Sequence, residues 1–216
     1  MPNEIIIVIF KFIVLFSAMT VHEVSHGAMA YKLGDNTAKL MGRLSFNPLR
    51  HIDPFGSIIF PLFLTAVGSP ILFMWAKPVL YNPNNLKNPK LGAALIGFAG
   101  PFSNMAVAVI LGIIIRILAL AFDLQANLGM AIFVYLLGII VFINILFAIF
   151  NLIPIPPLDG SKVLFGFLPP SFFKVQDFLE RYGMFIFIFF IFYGLDFVGA
   201  ITGTIFNLIT GSIMSL

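Results

Sequence analysis

Residues 5–31 read IIIVIFKFIVLFSAMTVHEVSHGAMAY, an apolar run in which only Lys11 and Glu23 carry a formal charge. About 20 such residues, rising 1.5 Å each, cross the hydrocarbon of a bilayer, so this stretch decides for a membrane-spanning helix. Near its C-terminal end stands His22-Glu23-Val24-Ser25-His26. Two imidazoles at i and i+4 share one helical face, about 5–6 Å apart, and both can ligate one Zn²⁺. The glutamate between them has the chemistry of a general base for water at that metal. A chance match in an ordinary helix is the plain alternative. Against it, metal-binding or ionisable side chains cost several kcal/mol in hydrocarbon and mark function there by default.

Composition sets the class. Hydrophobic residues make up 60% of the 216, charged residues 10%, and the mean hydropathy is +1.07. A soluble domain of this size cannot hide so much apolar surface, which points to an all-α integral membrane protein with many spans. The net charge of +3 does not imply nucleic acid, because lysines and arginines flanking membrane spans account for it. With no cysteine in the chain, disulfides and thiolate ligands are excluded, and any zinc is held by nitrogen and oxygen. The first apolar run lacks the basic start and small-residue cleavage site of a signal peptide, and is expected to stay in the mature protein.

Five apolar blocks follow one another: 5–31, 55–75, 91–122, 128–153 and 183–214. Pro61, Gly68 and Pro70 interrupt the second, and Gly194, Asp196 and Gly199 the last, so neither reads as one straight helix. The expected fold is a polytopic helical bundle with four to six membrane segments and a membrane-reentrant hairpin or loop. Arg43-Leu44-Ser45-Phe46 also suggests a small β-hairpin between Gly42 and Pro54.

Charge placement favours a particular topology. If the broken second block enters and leaves by one face, Lys32, Lys39, Arg43, Arg50, Lys77, Lys87 and Lys90 all lie on the cytoplasmic side, joined by Lys162, Lys174 and Arg181. Lys11 and Arg116 are then left near the opposite ends of their helices, able to snorkel. The N-terminus is outside in this arrangement. The first and fourth blocks run parallel, both ending at the cytoplasmic face, with His26 about 9 Å and His22 about 15 Å back from Lys32 along the axis. A third ligand is therefore expected near the end of the fourth block.

That place holds Asn151-Leu152-Ile153-Pro154-Ile155-Pro156-Pro157-Leu158-Asp159-Gly160. Its three prolines break the helix, and freed backbone is tolerated at membrane depth only where it is buried in protein or lines a wet cavity. Asp159 is the one carboxylate there. As an Asp before Gly-Ser it suits a helix N-cap; beside a histidine pair it completes the three-ligand set of a catalytic zinc.

HEVSH in one span, Gly100-Pro101-Phe102-Ser103-Asn104 in another and NLIPIPPLDG at the end of a third together resemble the site-2 protease family of intramembrane zinc metalloproteases, peptidase family M50. The likeness covers most of the chain and is nearest the compact branch without a PDZ domain. It implies cleavage within or near transmembrane segments of membrane proteins, one Zn²⁺ per chain, His22, His26 and Asp159 as its ligands and Glu23 as the base. It also implies one domain over residues 1–216, with a catalytic core at about 5–165 and hydrophobic segments at about 183–214. The partners implied are a transmembrane protein or peptide and the lipid bilayer, with no nucleic acid, in a prokaryotic cell membrane and with the active site near the cytoplasmic face.

Four further residues stand out. Asn104 and Asn151 suit hydrogen bonding to substrate or an oxyanion, and equally the role of interhelical glue. His51, in Arg50-His51-Ile52-Asp53-Pro54, is either an auxiliary ligand or part of a turn built by Asp-Pro chemistry. Asp196, with glycines on both sides, suggests a wet break between two short helices. Two other classes fit the same motifs: a membrane metal-ion transporter, which needs no Glu23, and a non-catalytic membrane-protein-binding relative.

Overall fold

The computed structural model describes residues 4–68 and 74–211. Pro70 and the end of the last apolar block lie outside the described residues. The helices are α1 (Glu4–Lys32), a short α2 (Thr37–Leu40), α3 (Phe60–Ala66), α4 (Pro89–Ala121), α5 (Leu128–Asn151), α6 (Asp159–Phe167), α7 (Phe173–Tyr193) and α8 (Leu195–Thr210). No strand occurs among the described residues, and the protein is an all-α polytopic membrane protein. α1, α4 and α5 are each long and apolar enough to cross a bilayer, and α7 with α8, bent by 67°, adds a fourth where the pair acts as one broken span. Three to four such segments stand at or just below the lower end of the expected number.

Local chemistry sets the boundaries. Asn88 caps α4 by accepting from Leu91 N at 3.1 Å, with Pro89 in the first turn. Asn127 caps α5 through Met130 N at 3.0 Å. The turn over residues 122–127 is short, so α5 folds back antiparallel on α4. Contacts of α4 with α1 run in reverse order, Ile96 against His26 and Asn104 against His22. Hence α1 and α5 are parallel, and their C-terminal halves lie side by side, His22 packing on Phe147. Ala108 and Ile115 of α4, Val134, Val141 and Ile145 of α5 and Phe206 of α8 form the buried apolar core. Phe185, Phe189 and Phe192 of α7 stay exposed, a lipid-facing surface.

The second apolar block turns back on itself. A π-helical turn, Pro54–Ile59, leads into α3. The returning segment is pinned to its start by Trp75 N to Gly56 O (3.2 Å), Ser57 Oγ to Trp75 O (2.8 Å) and Lys77 N to His51 O (2.9 Å). The two ends of the segment therefore lie beside each other.

The small β-hairpin expected between Gly42 and Pro54 does not form. Gly42 takes a left-handed turn (φ 66°), Pro48–His51 is a 3₁₀ turn, and Arg50 Nη1 donates to Gly42 O at 2.9 Å. Side chain to backbone bonds replace the ladder there. Arg116 is exposed, and its Nε donates to Ile209 O at 2.7 Å and its Nη2 to Leu208 O, closing the end of α8. The break near Asp196 is real, falling at Gly194, and Asp196 sits exposed in the first turn of α8, where the helix dipole favours an acid.

Candidate metal centre

His22 and His26 project from one face of α1, 3% and 6% exposed. Their rings meet edge to face with centroids 4.5 Å apart. Gly100 of α4 makes room for them: a Cβ there would lie 2.6 Å from His26 Cε1 and 2.7 Å from His22 Nε2. After α5 ends, the Pro-rich turn brings the chain back so that Asp159 opens α6. Gly160 is required for that return, since a Cβ on it would come within 2.2 Å of Leu152 O. The result is that Asp159 Oδ2 lies 2.9 Å from Nε2 of both histidines. One ligand atom from each of the three falls within 4.8 Å of the others, and all three residues are buried.

Hydrogen bonds behind the rings decide which nitrogens carry protons. Asn144 Nδ2 donates to Ile140 O (2.9 Å), which leaves Asn144 Oδ1 to accept from Asn104 Nδ2 (2.9 Å). Asn104 Nδ2 also reaches Ala18 O at 3.0 Å, a carbonyl that can only accept. Asn104 Oδ1 must then face His22 Nδ1, at 2.9 Å, and that nitrogen carries the proton. His26 Nδ1 likewise donates to Ile96 O at 2.6 Å. Both Nε2 atoms are left with lone pairs, facing a carboxylate oxygen. Three acceptors gathered this closely repel one another unless a cation lies among them, and two neutral imidazoles with one carboxylate are the donor set of a catalytic zinc. The residues fit the metal.

The centre opens into a cavity of about 610 Å³, walled largely by apolar side chains such as Met19, Trp75, Phe147, Phe150 and Phe187. Glu23 lines it, and its Oε2 accepts from Val79 N at 2.8 Å. Val79 belongs to the non-helical return segment, which crosses the cavity as a strap. One end is fastened at Gly56 and His51, and the other at Asp35, which accepts from Asn82 N (2.9 Å) and Asn85 Nδ2 (2.6 Å).

His22, Glu23, His26 and Asp159 thus come together. Asn151 lines the cavity, with its Nδ2 on Phe147 O at 2.9 Å. Asn104 is wholly buried against His22 and is not among the residues lining the cavity. His51 does not join the cluster: it is fully buried and donates from Nε2 to Ser45 O at 2.8 Å, while Asp53 caps the next turn through Gly56 N at 2.7 Å. The turn chemistry of Asp53-Pro54 outweighs the ligand reading. Sequence reasoning missed Asn144, Lys162 and the Val79 amide. A polar residue inside the otherwise apolar α5 was the available signal for Asn144; main-chain contacts such as that of Val79 leave none.

Comparisons with known proteins give the family. The family model described as Peptidase family M50 matches residues 116–193. A protein of Bacillus subtilis named "Putative zinc metalloprotease YwhC" is 36% identical over 180 residues, 82% of this chain and 77% of its own. The chain belongs to peptidase family M50, the site-2 protease family. "Putative zinc metalloprotease Rip2" of Mycolicibacterium smegmatis is 29% identical over 71% of this chain and 55% of its own, and "Zinc metalloprotease MJ0392" of Methanocaldococcus jannaschii is 28% identical over 74% and 35%. No solved structure matches.

Proposed function

We propose that this protein is an intramembrane zinc endopeptidase that hydrolyses peptide bonds within or near transmembrane segments of other membrane proteins. The observation that carries the reading is the convergence of His22, His26 and Asp159 on one point beside Glu23, at the wall of a largely apolar cavity. Those four residues are assigned as three ligands and a base. A zinc ion held there would supply Lewis acidity toward the scissile carbonyl and water. Glu23 takes the proton from the attacking water and returns it to the leaving nitrogen.

A transmembrane helix satisfies its own backbone, so its cleavage needs a locally unwound segment whose freed groups find new partners. The non-helical strap, with Met74, Val79 and Tyr81 on the cavity wall, is suited to pair with such a segment by β-augmentation. Asn151 on the same wall is a further hydrogen-bonding group for the substrate. Basic residues concentrated between Lys32 and Lys90 support a prokaryotic cell-membrane orientation with the N-terminus outside and the zinc near the cytoplasmic face.

The test is cleavage of a single-span model substrate by purified protein in proteoliposomes. Wild type cuts; Glu23→Gln keeps its zinc and does not cut. Cutting by the Glu23→Gln protein contradicts the assigned base, and zinc flux without any cleavage favours a transporter.

A further inference from the structure

Asp159 gives its two oxygens to different partners. Oδ2 faces both imidazoles, while Oδ1 accepts from Lys162 Nζ at 2.9 Å. Lys162 follows one turn later on α6, so the i,i+3 spacing builds the pair into the helix that delivers the aspartate. Gly97 of α4 accommodates it: a Cβ there would stand 3.0 Å from Lys162 Cβ and 3.1 Å from Asp159 O. The lysine side chain is 40% exposed and lines the cavity with Glu23 and Tyr81. Neither the histidine motif nor the zinc chemistry assigned above uses it.

We infer that Lys162 is a positioning residue that restricts Asp159 to ligation through a single oxygen, which rests on the metal site proposed above. A carboxylate with both oxygens free can grip a cation through both. Here a charge-assisted hydrogen bond holds Oδ1 on the lysine, and only Oδ2 is presented to the ligand cluster. The arrangement keeps a catalytic zinc at three protein ligands, with the remaining position open for water and the substrate carbonyl. A neutral residue at position 162 frees Oδ1 to close that position.

Cobalt substitution of the purified full-length protein tests this, because the visible spectrum of Co²⁺ is strong when four-coordinate and weakens at higher coordination. Wild type gives the strong four-coordinate band. Lys162→Met gives the weaker band of higher coordination while retaining the metal, with kcat for a model substrate lower by about 10- to 100-fold and KM little changed. Lys162→Arg restores the wild-type spectrum. Lys162→Leu serves the same comparison if methionine is not tolerated in this wall. A neutral variant whose spectrum superimposes on wild type, or a change that arginine does not reverse, overturns the inference whatever happens to kcat. Wild-type protein that takes up no Co²⁺ overturns the metal site itself, a result distinct from a cobalt site indifferent to Lys162.

Discussion

Val79 donates its backbone N–H to Glu23 Oε2 at 2.8 Å, so the carboxylate assigned as the base is held by the strap that crosses the cavity. The strap is in turn anchored at Asp35, which is fully buried and bound to Thr37, Asn82 and Asn85. Replacing Asp35 by Ala strands several donors and is expected to cost about 1–3 kcal/mol of stability. Cleavage should fall with it, because Glu23 loses its fixed partner, while zinc content is retained. Thermal unfolding, zinc analysis and a cleavage assay on the same preparation check this.

Asp35 also sets a pH dependence. Burial pushes its carboxyl up, but hydrogen bonds from Thr37, Asn85 and Asn82 outweigh that and hold it below the usual carboxylate range. A carboxyl with a lowered folded pKa contributes stability above its unfolded pKa of about 4, and the contribution is lost as pH falls through the folded value. The stability advantage of wild type over Asp35→Asn should therefore be full at pH 7 and shrink steadily below about pH 4. An advantage independent of pH across that range contradicts the assignment.

Gly100→Ala places a methyl group against both imidazoles, 2.6 Å from His26 Cε1 and 2.7 Å from His22 Nε2. The helix itself tolerates alanine well. The expected outcome is a folded protein with zinc affinity lower by about tenfold or more, read by metal competition with a chelator.

Asn104→Ala removes the acceptor that fixes the proton on His22 Nδ1. Zinc affinity and activity should drop about 10- to 100-fold. Asn144→Ala, one bond further back, should have a smaller effect of the same kind. Equal effects of the two would argue against the ordered chain from Ile140 O to His22.

Arg116→Leu leaves the carbonyls of Leu208 and Ile209 without their guanidinium. A loss of about 1–3 kcal/mol in thermal stability is expected, with zinc affinity unchanged, because the contact lies on α8 and away from the centre.

The parts of this structure that were readable in the sequence are those encoded by spacing and composition. His22 and His26 follow from a local i,i+4 repeat, and the approximate extents of α4 and α5 from the apolar blocks at 91–122 and 128–153. Asp159 required one long-range step, the parallel course of α1 and α5, which charge placement supplied. Residues whose roles depend on what packs opposite stayed hidden. Lys162 reads as an ordinary solvated lysine until Asp159 is seen to open α6 and so place the pair at i,i+3, and the grip on Glu23 comes from a main-chain amide that any residue at position 79 except proline provides. The region from Gly42 to Pro54 was misread because β-prone residues there are organised by Arg50 and Asp53 into turns.

The most direct test is zinc K-edge X-ray absorption on purified wild-type protein. The account predicts one zinc per chain with two imidazole ligands and oxygen neighbours, falling to one imidazole in His22→Ala and keeping two in Glu23→Gln. A zinc shell without histidine scattering, or one that His22→Ala leaves unchanged, contradicts it.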